Sequence, residues 1–215
     1  MPFSQAPVAR VFLAIALAAI ALKGSAAPAT PPSGLDAAES HVLVEVGKTG
    51  ALSFVAGHPH VIEGPIHGTL SVDPTHPELA AAVFEISTGD LVVRDEGEPP
   101  EDVEKVQHTM AGPDVLDVSQ YPTVTFRSTS IEVEHRSANE LKLTVIGNLT
   151  LHGTTRSIAV PVIAEFPGNV VTARGRFSVK QTDYGMRPVS VAGGLVSVKD
   201  AVTIHFTIVS PLSGR

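Results

Sequence analysis

Along much of this chain apolar side chains fall at every second position, over stretches longer than the usual strand of about five or six residues. Leu143, Val145, Gly147, Leu149 and Leu151 share one face, while Lys142, Thr144, Asn148 and Thr150 occupy the other. An extended backbone, whose side chains alternate between faces, puts those two sets on opposite sides. The same alternation recurs at Val42, Val44 and Val46, at Val124 and Phe126, from Ile158 through Val160, Val162 and Ala164 to Phe166, and at Val202, Ile204, Phe206 and Ile208. Gly and Pro punctuate the gaps, as turns between antiparallel neighbours require. Long strands with one apolar face favour a curled sheet, because an extended open sheet leaves a long edge of unpaired N–H and C=O groups. The expectation is an all-β chain closed into a barrel.

One segment breaks the pattern. Between Pro99 and Gly112, the residues Val103, Val106 and Met110 are spaced three and four apart, with Glu101, Asp102, Glu104, Lys105 and Gln107 mostly off that stripe. This spacing predicts a helix with one apolar face. Pro100 suits an early helical position, the early acids suit the helix dipole, and Gly112-Pro113 supplies a stop. Such a helix is expected to lie across a barrel opening or a sheet face.

The first residues read as targeting rather than folding. Arg10 gives a positive start, Val11 to Leu22 carry no charge, and Lys23-Gly24-Ser25-Ala26-Ala27 ends in small residues. A bilayer span needs roughly 20 apolar residues, so this stretch fits the core of a cleavable signal peptide at 1–27. Positions 28–40, PATPPSGLDAAES, then read as a flexible spacer with too little apolar surface to fold, ahead of a barrel domain at 41–212. After cleavage no stable membrane span is expected, and the protein is expected in the periplasm or secreted.

The formal net charge is −7, and the prefix holds Arg10 and Lys23 but no acid, so the mature domain is more acidic still. An acidic chain without a Lys/Arg cluster has no electrostatic footprint for nucleic acid or anionic lipid. There is no cysteine. An exported domain of this kind holds itself together by core burial alone, and thiol nucleophiles and zinc-thiolate sites are ruled out.

No catalytic constellation stands out: the chain has no GxSxG elbow, no GxxxxGK[ST] loop, no HExxH and no GxGxxG after a strand. Asp95, Glu96, Glu98, Glu101, Asp102 and Glu104 form one local run that reads as a solvated face. The chain is therefore expected not to be an enzyme and to need no cofactor. Histidine is the residue type still able to carry chemistry. His58 and His60 stand two apart, which an extended backbone aims to one side, and His67 follows nearby. Neutral imidazoles ligate zinc, copper or nickel, so His58, His60 and His67 are candidate metal ligands, although a polar turn with hydrogen-bonded histidines fits the same residues.

Taken in order, Ser53-Phe54 followed by Gly57-His58, YPTVTFRSTSIE at Tyr121 to Glu132, GNLTLHGTTRSIAVPV at Gly147 to Val162, FSVKQTDYGMRP at Phe177 to Pro188 and VKDAVTIHFTI at Val198 to Ile208 resemble the YceI family. The resemblance covers about residues 40 to 210. It departs from the commoner pattern before Tyr121, where many relatives carry a Phe pair and this chain has Val115-Leu116.

The resemblance implies an extended antiparallel, lipocalin-like β-barrel of about eight strands with one helical insertion near its mouth. It further implies a long amphiphile bound in an apolar interior, notably a polyisoprenoid such as an isoprenoid quinone. On that reading the ligand-contacting positions are Phe54, Phe126, Leu143, Val145, Leu149, Leu151, Val160, Val162, Phe177, Val202, Ile204 and Phe206. His152 and Gly153-Thr154 are expected at a hairpin turn, Tyr121-Pro122 at the start of a strand, and Asp183-Tyr184-Gly185 at a bend in the wall. Two other readings stay open: a His-mediated metal-binding or stress-response protein, and a solid barrel acting as an interaction module. A homodimer also stays open.

Overall fold

In the computed structural model, residues 33–51, 59–95, 100–191, 193 and 195–212 are described. In chain order they form β1 (Ser33–Gly34), β2 (His41–Val46), β3 (Lys48–Thr49), β4 (His60–Pro65), β5 (His67–Ser71), β6 (Ala81–Ser87), β7 (Val92–Val93), α1 (Pro100–Ala111), β8 (Thr123–Arg136), β9 (Glu140–Leu151), β10 (Thr154–Glu165), β11 (Val170–Lys180), β12 (Ser190–Val191), β13 (Val196–Val198) and β14 (Ala201–Pro211). Short 3-10 turns lie at Pro77–Leu79, Thr88–Asp90 and Gln181–Tyr184. The signal peptide expected at 1–27 lies outside the described residues.

Eleven strands make one antiparallel sheet in the order β1-β5-β6-β8-β9-β10-β11-β14-β2-β4-β7, and β12, β13 and β3 form a small separate sheet. Near opposite ends of the large sheet stand β4 and β5, yet only Ile66 separates them along the chain. One bent strand thus pairs by its first half with β2 and by its second half with β6, so the sheet curls until its ends share a single segment. Counted as one, β4–β5 gives eight wall positions, and the further strands are short edge covers and the small sheet. The bent strand is divided into β4 and β5 where the ladder with β2 ends at Pro65, which has no N–H to donate, and the ladder with β6 begins at His67. Gly68 tightens the bend: at φ 142° it lies so close to β6 that a Cβ would meet the Val83 carbonyl oxygen at 2.1 Å.

Each half of the bent strand leaves an edge, and each edge is covered. β7 pairs with β4, and the α1 side chain of Gln107 holds β7 from the other side, donating from Nε2 to the Leu91 carbonyl at 2.9 Å and accepting from the Val93 N–H at 2.8 Å. At the other seam β1 pairs with β5. There Ser40, only 1 % exposed, accepts the Val209 N–H on its hydroxyl at 3.0 Å and the Ile66 N–H on its carbonyl at 3.0 Å. Asp36 N–H donates to the Val209 carbonyl as well.

The expected spacer at 28–40 is therefore corrected over its second part: Ser33–Gly34 is a strand and Ser40 a buried clamp. Its low apolar content pointed to a linker, but this segment is held by backbone and serine hydrogen bonds rather than by its own core.

The alternation read from the sequence is the inside and outside of the wall. On β10, Val160, Val162 and Ala164 are buried while Pro161 and Ile163 are exposed. Leu141 and Leu143 are buried on β9 and Lys142 between them is exposed. A bulge between Ser128 and Ser130 on β8 skips Thr129, which returns Ile131 to the core side opposite Val145. Helix α1 matches its expected bounds to within a residue, with Met110 buried and Val103 and Val106 packed on the core.

Replacing Ser40 by Ala leaves the Val209 N–H without its buried acceptor. The expected outcome is a loss of about 1–3 kcal/mol in unfolding free energy, read from urea denaturation, with the fold retained by circular dichroism.

Candidate functional site: a hydrocarbon-lined cavity

The interior of the curled sheet is not filled. A cavity of about 250 Å³ runs along it, lined almost wholly by the inward rows of the wall strands. Phe126 on β8, Leu143, Val145, Leu149 and Leu151 on β9, Val160 and Val162 on β10, Phe177 on β11, and Val202, Ile204 and Phe206 on β14 all line it. Phe54 lies outside the described residues. The volume sits just under the usual range of small-molecule pockets, about 300–1,000 Å³.

Glycines shape the cavity as much as large side chains do. On β11 the inward row is Val171, Ala173, Gly175, Phe177 and Val179, and at Gly175 an added Cβ would sit 2.3 Å from Phe206 Cζ and 2.7 Å from the Pro161 carbonyl oxygen. At Gly147 on β9 a Cβ would lie 2.4 Å from Phe126 Cζ. Each glycine removes a side chain from the row so that a phenyl ring from a neighbouring strand can lie over the bare backbone. Phe177 and Phe206 meet edge to face with centroids 6.4 Å apart, and Phe84 stacks with Phe126 at 6.3 Å.

The strand directions distinguish the two ends of the barrel. Strands β2, β6, β9 and β11 finish, and β8, β10 and β14 start, at the end that carries α1, the 3-10 turn at Gln181–Tyr184 and the small three-stranded sheet. Met110 from α1 and Val115 and Leu116 from the loop after it contribute to the lining, so the helix lies across this end of the cavity as the sequence predicts. Val115 and Leu116 thus take up lining positions themselves.

Hydrogen bonds fix the turns around this mouth. His152 and Gly153 join β9 to β10 with φ of 49° and 70°, the left-handed pair that a two-residue hairpin requires. His152 Nδ1 lies 3.2 Å from the Tyr184 carbonyl oxygen, which can only accept, so this nitrogen carries the proton. Its ring packs on Tyr121, with centroids 4.4 Å apart. The Tyr184 side chain is 2 % exposed, and burial raises its phenol pKa above the ordinary value. The Asp200 carboxylate accepts from Thr182 N–H at 2.9 Å and from Thr182 Oγ1 at 2.7 Å, and these bonds hold its pKa below the usual value. Gly185 closes the 3-10 turn at φ 79°, the bend expected at Asp183-Tyr184-Gly185.

Of the three candidate metal ligands, two lie among the described residues. His58 lies outside the described residues, and His60 and His67 sit on opposite halves of the bent strand. Among the described residues no three His, Asp or Glu side chains are placed to hold an ion together.

Much of the lining was not picked out as site residues from the sequence, including Ile62 on β4, Phe84 on β6 and Ala173 on β11. The row Val42, Val44 and Val46 was visible as a strand face but not as cavity wall. Gln181 was passed over because it is polar, although the two-residue step from Val171 to Val179 reaches it next.

The profile of the YceI-like domain matches residues 34–210 of this chain. A UPF0312 protein of Pseudomonas savastanoi pv. phaseolicola is 33% identical over 93 residues, 43% of this chain, and the match spans only 42% of that relative's length. A UPF0312 protein of Vibrio cholerae is 29% identical over 150 residues, covering 67% of this chain and 71% of the relative. Among solved structures, Burkholderia cenocepacia BcnA superposes with a TM-score of 0.61 at 23% identity, covering 81% of this chain and 98% of its own. A polyisoprenoid binding domain from Saccharophagus degradans does so with 0.59 at 13% identity, covering 83% and 97%. At these identities the two structures speak to the fold.

The glycine–phenylalanine contacts provide a direct check on the cavity's shape. Gly175→Ala forces a Cβ against both the Phe206 ring and a backbone oxygen, so it is expected to cost about 1–3 kcal/mol by chemical denaturation and to shift the Phe206 ring resonances.

Proposed function

We propose, from the premise that this chain belongs to the YceI-like domain family, that it is a non-enzymatic lipid-binding protein that sequesters or carries a long-chain isoprenoid-like amphiphile. The observation that carries the reading is the cavity itself, about 250 Å³ of space whose lining, among the described residues, contains no Lys, Arg, His, Asp or Glu. A slender hydrocarbon fits such a wall and a polar metabolite does not, because a buried polar group without a partner is costly.

Burial of apolar groups contributes about 0.8 kcal/mol per CH₂. One five-carbon isoprene unit therefore contributes roughly 4 kcal/mol, several times the net worth of a neutral hydrogen bond, about 0.5–1.5 kcal/mol. Affinity should rise with tail length until the cavity is full. No covalent step is required of any residue lining it. The likeness to a domain named for polyisoprenoid binding supports the choice of ligand class. Export to the periplasm or beyond belongs to the same proposal and rests on the apolar core at 11–22. Among the described residues no helix is long and apolar enough to cross a membrane.

The test is direct. Protein purified from its host without detergent should yield an organic-extractable prenyl lipid by mass spectrometry, and stripped protein should take one up again. Ala173→Phe, which projects a ring into the cavity from the β11 row, should stay folded yet lose that uptake at least tenfold. A clean extract together with no uptake of any long-chain probe overturns the proposal.

A further inference from the structure

Among the described residues the cavity wall offers one inward polar side chain, and its hydrogen bonding restricts what kind of polar head can meet it. The β11 row of Val171, Ala173, Gly175, Phe177 and Val179 continues by the same two-residue step to Gln181, first residue of the 3-10 turn at the mouth end. Gln181 lines the cavity and is 5 % exposed. Thr125, the other polar residue of the lining, is solvent-exposed and lies on the outward row of β8 between Val124 and Phe126.

The orientation of the Gln181 amide is not interchangeable. Nε2 stands 2.9 Å from the Lys199 carbonyl oxygen. A carbonyl only accepts, so the amide nitrogen must be the end that faces it, and Oε1 is the end turned away. The Gln181 backbone is occupied as well, its N–H donating to the Asp200 carbonyl at 2.9 Å and its carbonyl accepting from Met186 N–H at 3.2 Å. Among the described residues nothing donates to Oε1. A ligand head that shields Oε1 from water without donating to it leaves that acceptor unsatisfied, whereas a head that supplies a proton does not.

We infer that Gln181 reads the head of the bound lipid and selects a neutral head that donates a hydrogen bond, the hydroxyl of an isoprenoid alcohol or phenol, over one that only accepts, such as an ether or a quinone carbonyl. The inference rests on the lipid-binding reading given under Proposed function. A hydroxyl satisfies Oε1 and can also accept the second Nε2 proton. An acceptor-only head can take that proton but leaves Oε1 bare against hydrocarbon. A diphosphate head finds no cation among the described residues of the lining and would lose its solvation without a counter-charge.

The experiment compares farnesol with farnesyl methyl ether, which share the tail and differ in the head proton, by equilibrium binding to stripped wild-type protein and to Gln181→Leu and Gln181→Met. Wild type should bind the alcohol about three- to tenfold more tightly than the ether, the range of one neutral hydrogen bond. Either variant that keeps a cooperative melt should bind the two ligands equally, with the ether held about as well as by wild type. Equal binding of the two by wild type overturns the role of Gln181 while leaving the lipid-binding reading intact. A preference that survives in the variants places head recognition elsewhere and also overturns it. Failure of wild type to bind either ligand overturns both this inference and the reading beneath it.

Discussion

A hydrocarbon-lined hollow can persist only if the backbone around it keeps no open edge, because an unpaired N–H or C=O facing that interior has nowhere to go. In this chain the requirement falls on the bent strand β4–β5, and also between β10 and β11, which pair only from Val162 to Glu165 against Gly175 to Thr172. The bent strand must pair with β2 by one half and with β6 by the other, and no regular ladder crosses the break at Pro65-Ile66. The chain repairs the break with side chains and short strands. Ser40 takes the Ile66 and Val209 amides at one seam, and Gln107 from α1 secures β7 at the other. The helix is thus part of the closure as well as part of the mouth, and the polar groups that complete the sheet lie at its seams, which leaves the central wall free to be apolar.

That division explains which features the sequence made legible. The central wall strands pair over long ladders, for instance β11 with β14 from Val170 to Lys180, so their side chains obey a strict period of two and Leu143, Val160 or Phe206 can be placed inside from spacing alone. The helix stripe at Val103, Val106 and Met110 was legible for the same reason. The seams were not. Ser33–Gly34 and Ser40 carry no periodic apolar signal and looked like a spacer, because what holds them is a partner far away in sequence. The bend at Ile66 likewise leaves no periodic mark. It places His60 and His67 on different halves of one bent strand.

Gln181 shows the complementary limit of pattern reading. It follows Val179 in an inward row, yet its polarity marks it as outward by any hydropathy rule, and only the Lys199 carbonyl explains how a buried amide is tolerated there. Asp200 and Thr182 brace the same turn through two hydrogen bonds, and Gly185 ends it in a left-handed conformation. A rigid mouth-end turn holding one oriented amide is a different element from the adaptable hydrocarbon wall beneath it. Tail binding is loose by nature, since dispersion and burial accept any chain of suitable width. Discrimination is sharper where a polar group must be satisfied.

The hollow also has a thermodynamic consequence for the empty protein. In a well-packed core, unfilled volume is unfavourable by roughly 24 cal/mol per Å³, so a cavity of about 250 Å³ forgoes on the order of 6 kcal/mol of packing. That is comparable to the whole stability of a typical domain, about 5–15 kcal/mol. The glycine–phenylalanine contacts at Gly147 and Gly175 oppose collapse, because the rings rest on bare backbone and cannot move further toward the strands that carry those glycines. A wall propped in this way resists collapse, and any guest that binds the folded form stabilises it by an amount that grows with the logarithm of ligand concentration over its dissociation constant. Binding and folding are therefore linked through the same rows of side chains. A substitution that fills the cavity should stabilise the empty protein even as it removes the space for a guest, whereas one that only loosens a seam should weaken the empty and loaded forms alike.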